Sequence, residues 1–176
     1  METSWHNFVV TLEEPAELVD VVNEDDVVLR TVSRPEMRRK RLRHRAVFIL
    51  VTNSDGEVLI HRRSEAKDIW PGWWDVAIGG VVAAGETYDD AARRELFEEA
   101  GFTAEPQEVS AGSYDDDAVS LIARCYVVSH DGDVRPQDGE VAEFLWVNRD
   151  ELRDRLARDR FLPDSVALLG ELLFGT

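Results

Sequence analysis

The sequence predicts an α/β protein, an α/β/α sandwich built on a mixed β-sheet. Three observations predict it. Short apolar segments of strand length recur along the chain, and one of them, residues 45–52, is apolar enough to be buried. A strongly helical segment, 88–100, interrupts the strands, and two more helical segments close the chain. Strands with helices before and after them can be covered on both faces, which is the sandwich solution.

Taken in order, residues 1–14 read as a flexible leader, and Pro15 begins one domain spanning 15–176. Segments 17–22 and 27–32 are short strands joined by the polar turn Asn23-Glu24-Asp25-Asp26. Residues 35–42 form a short helix or a loop. Segments 45–52 and 57–63 pair as a hairpin across Asn53-Ser54-Asp55-Gly56. Trp70-Pro71-Gly72-Trp73 breaks the chain before a strand at 75–79. Thr87 and Asp90 form a variant capping box, so a helix starts near Tyr88, and Gly101 ends it in a left-handed cap. Strands follow near 108–114, 119–128 and 143–147, then helices at about 149–158 and 164–173, with Pro163 suited to the start of the last. There is no internal repeat, low-complexity tract or linker.

Composition narrows the functional classes. With 44% hydrophobic and 32% charged residues in 176, the chain is globular and long enough for a proper core. No apolar run approaches the roughly 20 residues that span a bilayer, and the N-terminus lacks the apolar segment of a signal peptide. Cys125 is the only cysteine, so no internal disulfide forms and a cytoplasmic location is the default. The net charge of −16 argues against binding a nucleic-acid polymer, though not against a small phosphate compound that arrives with its own metal. Charge is also uneven: Arg34, Arg38, Arg39, Lys40, Arg41, Arg43 and Arg45 stand close together with Glu36 as the one acid among them. This run is either a solvated face that balances acids elsewhere or a patch facing phosphate. Arg otherwise greatly outnumbers Lys, which reads as compositional bias.

The most informative segment is 80–102. Glu95, Glu98 and Glu99 lie three and four residues apart on the expected helix, so they share a face, with Ala92 and Leu96 turned to the core. Like charges at roughly 5–6 Å and an effective dielectric of about 20 repel by on the order of 3 kcal/mol per pair. A hard divalent cation removes that penalty, and Mg²⁺ favours such oxygen ligands together with water and phosphate. Gly79 and Gly80 let backbone approach the cation closely, and Arg94, four residues before Glu98, can hold that carboxylate in place.

The spacing runs Gly80, five residues, Glu86, seven residues, Arg94-Glu95, Leu96, one residue, Glu98-Glu99, one residue, Gly101 and Phe102. This resembles the Nudix box at every fixed position. The resemblance implies the Nudix-type sandwich, with Mg²⁺ or Mn²⁺ held by Glu95, Glu98, Glu99 and the carbonyl of Gly79. It implies hydrolysis of a diphosphate linkage in a nucleotide or related nucleoside diphosphate compound. The base that activates water varies within the family; Glu95 is the expectation inside the box, and Glu140 and Glu143 are the expectations outside it. Arg94 and Glu99 complete the expected catalytic set. Many relatives are dimers, so a homodimer stays open.

A second resemblance concerns selectivity. His61-Arg62-Arg63 and Lys67 before Trp70-Pro71-Gly72 are similar to the Nudix branch of isopentenyl-diphosphate isomerase, which implies that Arg63 and Lys67 bind the substrate diphosphate. His44 matches a metal ligand of that isomerase. The isomerase's cysteine and second histidine, however, fall at Gly79 and Val81, which cannot do its chemistry. Cys125 reads as a buried small hydrophobe. Trp70, Trp73 and Trp74 can stack on a base or pack in the core. Hydrolysis is therefore the main expectation. A non-catalytic nucleotide-binding module is the alternative, and an isoprenoid diphosphate isomerase a more distant one.

Overall fold

The computed structural model describes residues 17–137 and 139–175; the expected leader at 1–14 lies outside them. The chain begins with strands β1 (Leu18–Val22) and β2 (Val28–Ser33), paired antiparallel. Helix α1 (Arg34–Arg39) follows at once, capped by the Ser33 hydroxyl, which accepts from the Glu36 N–H, with a proline in its first turn. Among the described residues no helix is long and apolar enough to cross a membrane.

The middle of the molecule is strand β3 (His44–Thr52). Its residues 44–52 all pair in parallel with β8 (Ser120–Ser129), and β7 (Gln107–Asp115) lies antiparallel outside β8. With one edge of β3 filled by β8, the other takes β6 (Ile78–Val81), antiparallel across residues 46–49. A smaller group has β4 (Val58–Arg63) between β9 (Val141–Val147) and β5 (Trp74–Asp75).

The expected hairpin of 45–52 with 57–63 is corrected: β3 and β4 share a single pair, Thr52 with Val58. The strands then part because β6 occupies the edge of β3, while β9 pairs along β4. The expected strand at 75–79 is likewise two strands. Asp75 pairs with His61 of β4, and Ile78 pairs with Ile49 of β3. Val76 and Ala77 cross between the two groups and are buried. This crossing leaves a cleft whose wall is Gly79-Gly80.

The alternation of β3 explains the layers. Ala46, Phe48 and Leu50 pack with Leu152, Leu169 and Leu173 from helices α3 (Arg149–Arg158) and α4 (Pro163–Phe174). Val47, Ile49 and Val51 pack with Ala91, Ala92 and Leu96 of the opposite helical layer. Each such aliphatic side chain contributes roughly 1.5–3 kcal/mol on burial, so the period-2 pattern of one strand holds helices on both faces. A third cluster of Val19, Val21, Val32, Met37 and Val81 fastens α1 beside β6. That contact fixes where the basic run can reach.

Helix α2 spans Tyr88–Glu95, with the Thr87 hydroxyl accepting from the Asp90 N–H as the capping pattern requires. It continues as one π-helical turn, Leu96–Ala100, and stops at Gly101 in the left-handed region with φ 77°. The wider turn changes the geometry expected for the acids. In place of three carboxylates on one regular face, the Glu98 side chain is 45% exposed and Glu99 only 2%.

Candidate active site

Gly79 and Gly80 stand between β3 and the helix, and each is glycine for a steric reason. A Cβ on Gly79 would fall 2.0 Å from the carbonyl oxygen of Val47, and one on Gly80 would fall 2.4 Å from Glu95 Oε1. The Gly79 N–H donates to Glu99 Oε2 at 3.2 Å. Backbone and buried carboxylates are therefore in direct contact, with no room for a side chain at position 79. A cysteine there, as the isomerase needs, would collide with the β3 backbone.

Arg94 organises the acidic side. Its guanidinium donates to both oxygens of Glu86, Nε to Oε1 at 2.9 Å and Nη2 to Oε2 at 3.0 Å. It also reaches Glu95 Oε1 at 2.7 Å, Glu98 Oε2 at 3.0 Å and the carbonyl of Val81 at 3.1 Å. The expected hold on Glu98 is present, but Glu86 is the bidentate partner. Burial raises the Glu95 carboxyl above its ordinary value despite the opposing effect of Arg94. Burial, then the nearby Glu95, pushes the Glu99 carboxyl up to about 8.

These residues suit a hard cation in donor chemistry, and glycine at position 80 lets the Glu95 carboxylate lie against the backbone. As they stand, no group of three or more acidic, histidine or cysteine side chains among the described residues converges on one point. The physical reason is Arg94, which draws Glu95 and Glu98 toward itself. A cation held by Glu95 and Glu98 would take the place of the guanidinium in those two contacts.

Cations share the cleft wall with the acids. The cleft is lined by Arg34, Arg38, Arg63 and Lys67 and by Glu95, Glu98 and Glu140, together with Gly79 and Gly80. Lys67 pairs with Glu140. Burial lowers the Lys67 pKa, Glu99 opposes the shift, and Arg63 adds to it. Arg63 donates from Nη2 to the carbonyl of Ile69 at 3.0 Å. Of the two base candidates outside the box, Glu140 lies in the cleft, whereas Glu143 is bound to Arg62 at 2.9 Å on β4.

The basic run divides. Arg41 binds Asp115 at 2.5 Å, Arg45 binds Asp26 at 2.6 Å and Lys40 binds Glu36 at 2.7 Å, so much of it balances acids elsewhere. Arg34 and Arg38 turn into the cleft. Sequence reasoning did not single out Arg38. Its signal was only membership of the run, because which residues of α1 point inward depends on how Met37 docks.

A second, more apolar cavity of about 70 Å³ adjoins the cleft and shares Arg38, Arg63, Gly79 and Gly80 with it. Phe48, Ile69, Trp70, Leu121 and Leu162 line it, along with His44, Asp75 and Asp164. His44 is buried, its Nδ1 lies 3.0 Å from the carbonyl of Leu42, and burial lowers its pKa to about 4, a structural placement. Asp164 was missed. Burial and then Asp75 raise it to about 7, yet in sequence it reads only as an acid in the first turn of a helix. Trp70 reaches this cavity, Trp74 stacks on Phe161 and Trp73 lies near Arg160. Cys125 is buried in the core as expected.

Comparison with known proteins identifies the family. The family model of the NUDIX domain matches residues 42–165. The uncharacterized Nudix hydrolase YfcD of Salmonella typhi is 41% identical over 155 residues, covering 87% of this chain and 83% of the relative. The crystal structure of DR0079 from Deinococcus radiodurans superposes with a TM-score of 0.72 at 30% identity, covering 89% of this chain and 97% of that one. The NUDIX domain of Shewanella oneidensis NrtR, complexed with ADP ribose, shares the fold with a TM-score of 0.61 at 15% identity, covering 80% of this chain and 97% of that one. With the box, the sandwich and the relatives in agreement, the chain belongs to the Nudix family and is a hydrolase of that family.

Proposed function

We propose that this hydrolase cleaves a diphosphate linkage in a nucleotide or a related nucleoside diphosphate compound, with Mg²⁺ or Mn²⁺ as its cofactor. Nudix hydrolases generally use divalent metals, and Glu95, Glu98, Glu99 and the Gly79 carbonyl are the ligands this chain offers. A bound divalent ion supplies Lewis-acid stabilisation of phosphate oxygens and lowers the pKa of a water. Arg94 keeps the carboxylates in place before the ion arrives. Arg63 and Lys67 hold the diphosphate through charge-assisted hydrogen bonds. Glu95 or Glu140, both lining the cleft, takes the proton from the attacking water. The Gly79 and Val81 positions leave the isomerase reading without its cysteine and without one of its metal-binding histidines.

One observation carries the proposal: Glu95, which is buried, and Glu98 line one narrow cleft together with Arg34, Arg38, Arg63 and Lys67. That pairing suits a polyanion bound together with a cation better than either alone. The test is phosphate release from a panel of nucleoside diphosphates and triphosphates, dinucleotides and ADP-ribose, with Mg²⁺ or Mn²⁺ at mildly alkaline pH. Turnover on none of them sinks the reading.

A second reading, a nucleotide-binding module without catalysis, is favoured by the hold of Arg94 on Glu95 and Glu98. Calorimetric binding of a nucleotide without any turnover would select it.

A further inference from the structure

Two guanidinium nitrogens in this molecule are buried without a hydrogen-bond partner among the described residues: Nε of Arg38 and Nε of Arg63. They come from distant parts of the sequence, α1 and the end of β4, yet both side chains line both cavities at their junction. An unmet buried donor on a charged group is costly, because its lost hydration is not replaced. Two such donors mark Arg38 and Arg63 as under-satisfied guanidinium groups, and both side chains line the cavity junction where an anion can meet them.

The neighbouring cations are already engaged. Arg34 donates to Glu17 at 2.6 Å, and Lys67 pairs with Glu140. The acid closest to Arg38 is Asp68, 3.9 Å from Nε and largely exposed, which is beyond hydrogen-bonding distance. Burial, then repulsion from Arg34, lowers the Arg38 pKa to about 10, as expected of a cation short of counter-charge.

Size limits what can be bound behind these groups. The apolar cavity offers about 70 Å³, roughly the liquid volume of two waters and half the ~150 Å³ that accepts benzene. A sugar or a base cannot follow a phosphate into it. An anion that enters the apolar cavity between Arg38 and Arg63 is therefore the end of its molecule, with the remainder directed out through the cleft.

We propose that Arg38 and Arg63 form an anion pocket for a terminal phosphoryl group, so the preferred substrate is a diphosphate with a free end, such as a nucleoside diphosphate. Diphosphates capped at both ends, such as nucleotide sugars, are disfavoured. The inference rests on the hydrolase reading for its chemistry. Hydrolysis of the bridge consumes one water, breaks one bridging P–O bond and yields a nucleoside monophosphate and orthophosphate. Asp75 and Asp164 also line the inner cavity, and burial raises both carboxyls toward the neutral form. A neutral carboxyl can donate to a phosphate oxygen.

The experiment compares kcat/KM for each common nucleoside diphosphate with that for the corresponding nucleotide sugar. Wild type should prefer the uncapped compound at least tenfold. In Arg38→Met, which keeps an apolar stem in the wall, kcat/KM for the uncapped compound should fall by roughly 10- to 150-fold, the range of one charge-assisted bond, while that for the capped compound changes little and the preference is lost. Arg38→Lys keeps charge but not the fork and should fall between. A parallel calorimetric titration with inorganic pyrophosphate should show binding weakened by the same range in Arg38→Met, with thermal melting confirming that the variant is folded.

Equal losses on capped and uncapped substrates, or no loss on either, overturn the inference and leave the hydrolase reading standing. Absence of all turnover, combined with Arg38-dependent binding of pyrophosphate, overturns the hydrolase reading and leaves the anion pocket. Pyrophosphate binding that is indifferent to Arg38→Met overturns the pocket whatever the activity.

Discussion

Arg94 and Glu86 meet in a two-point contact, Nε to Oε1 and Nη2 to Oε2, that ties the loop before α2 to the last turn of that helix. Glu86 also accepts the Ala83 N–H at 2.9 Å, so the same carboxylate closes the turn that follows β6. Burial alone would raise the Glu86 carboxyl, but the bonds from Arg94 and Ala83 outweigh it and leave it lowered. Arg94→Lys keeps the charge and loses the fork. It should lower stability by about 1.5–3 kcal/mol, the range for a hydrogen bond to a charged group, and lower turnover as Glu95 and Glu98 lose their support. Urea denaturation midpoints and kcat/KM measured on the same preparation check this. Unchanged values for Arg94→Lys would mean that single-point contacts suffice.

The two adjacent glycines should separate folding from function. At Gly79 an added methyl meets the Val47 carbonyl, part of the β3–β6 ladder, which cannot move aside without breaking sheet pairing. At Gly80 the obstacle is the carboxylate end of Glu95, which can swing away. Gly79→Ala should therefore lower the melting temperature markedly. Gly80→Ala should stay folded but lose affinity for Mn²⁺ and at least tenfold in turnover. Melting curves and calorimetric Mn²⁺ titrations distinguish them, and equal destabilisation of both variants would refute the distinction.

The box positions were legible in the sequence because the capping pattern of Thr87, the helix formers after it and Gly101 are local signals, and the structure places them as read. The π-helical turn was not legible. It depends on how Leu96 and Ala100 pack against β3 and Tyr126 across the sheet, and no local spacing encodes that. The hairpin was misjudged for a similar reason: Asn53-Ser54-Asp55-Gly56 does turn the chain, with the Gly56 N–H donating to the Asn53 carbonyl. What the turn cannot determine is which partner wins the rest of the edge of β3, and residues some thirty positions later decide it. Arg38 and Asp164 escaped because both are charged residues in the end turns of helices, normally solvated positions. Only the assembled layers bury them.

Glu99 should carry a stability cost that its function requires. Its carboxyl is ordinary at 4.5 in the unfolded chain and raised to about 8 in the fold, chiefly by burial. Between those values the native state binds more protons than the unfolded one, so stability is full at low pH and falls as pH rises toward 8. Glu99→Gln keeps an acceptor for the Gly79 N–H and removes the charge. With divalent ions chelated, the variant should outlast wild type near pH 8 by up to about 4 kcal/mol, at 1.36 kcal/mol per unit, and lose turnover. Denaturation midpoints near pH 5 and near pH 8 check the sign. A wild type equally stable at both, with no gain in the variant, would show the charge to be compensated elsewhere.

Arg63 and Lys67 differ from the acidic cluster in what they should touch. Both line the cleft with Glu95 and Glu98, and neither is among the carboxylates that would hold a cation. Arg63→Ala and Lys67→Ala should therefore each weaken substrate binding while leaving Mn²⁺ affinity of the free enzyme little changed. One lost charge-assisted bond corresponds to about 1.5–3 kcal/mol, or roughly 10- to 150-fold in kcat/KM. Lys67→Ala also breaks its pair with Glu140, but each variant removes one positive charge from the cleft, so both losses should shrink with added salt. Steady-state kinetics at two salt concentrations, with calorimetric Mn²⁺ titrations alongside, test both statements. Wild-type kinetics in both variants would make the pair surface charge and leave the diphosphate to the remaining arginines of the wall.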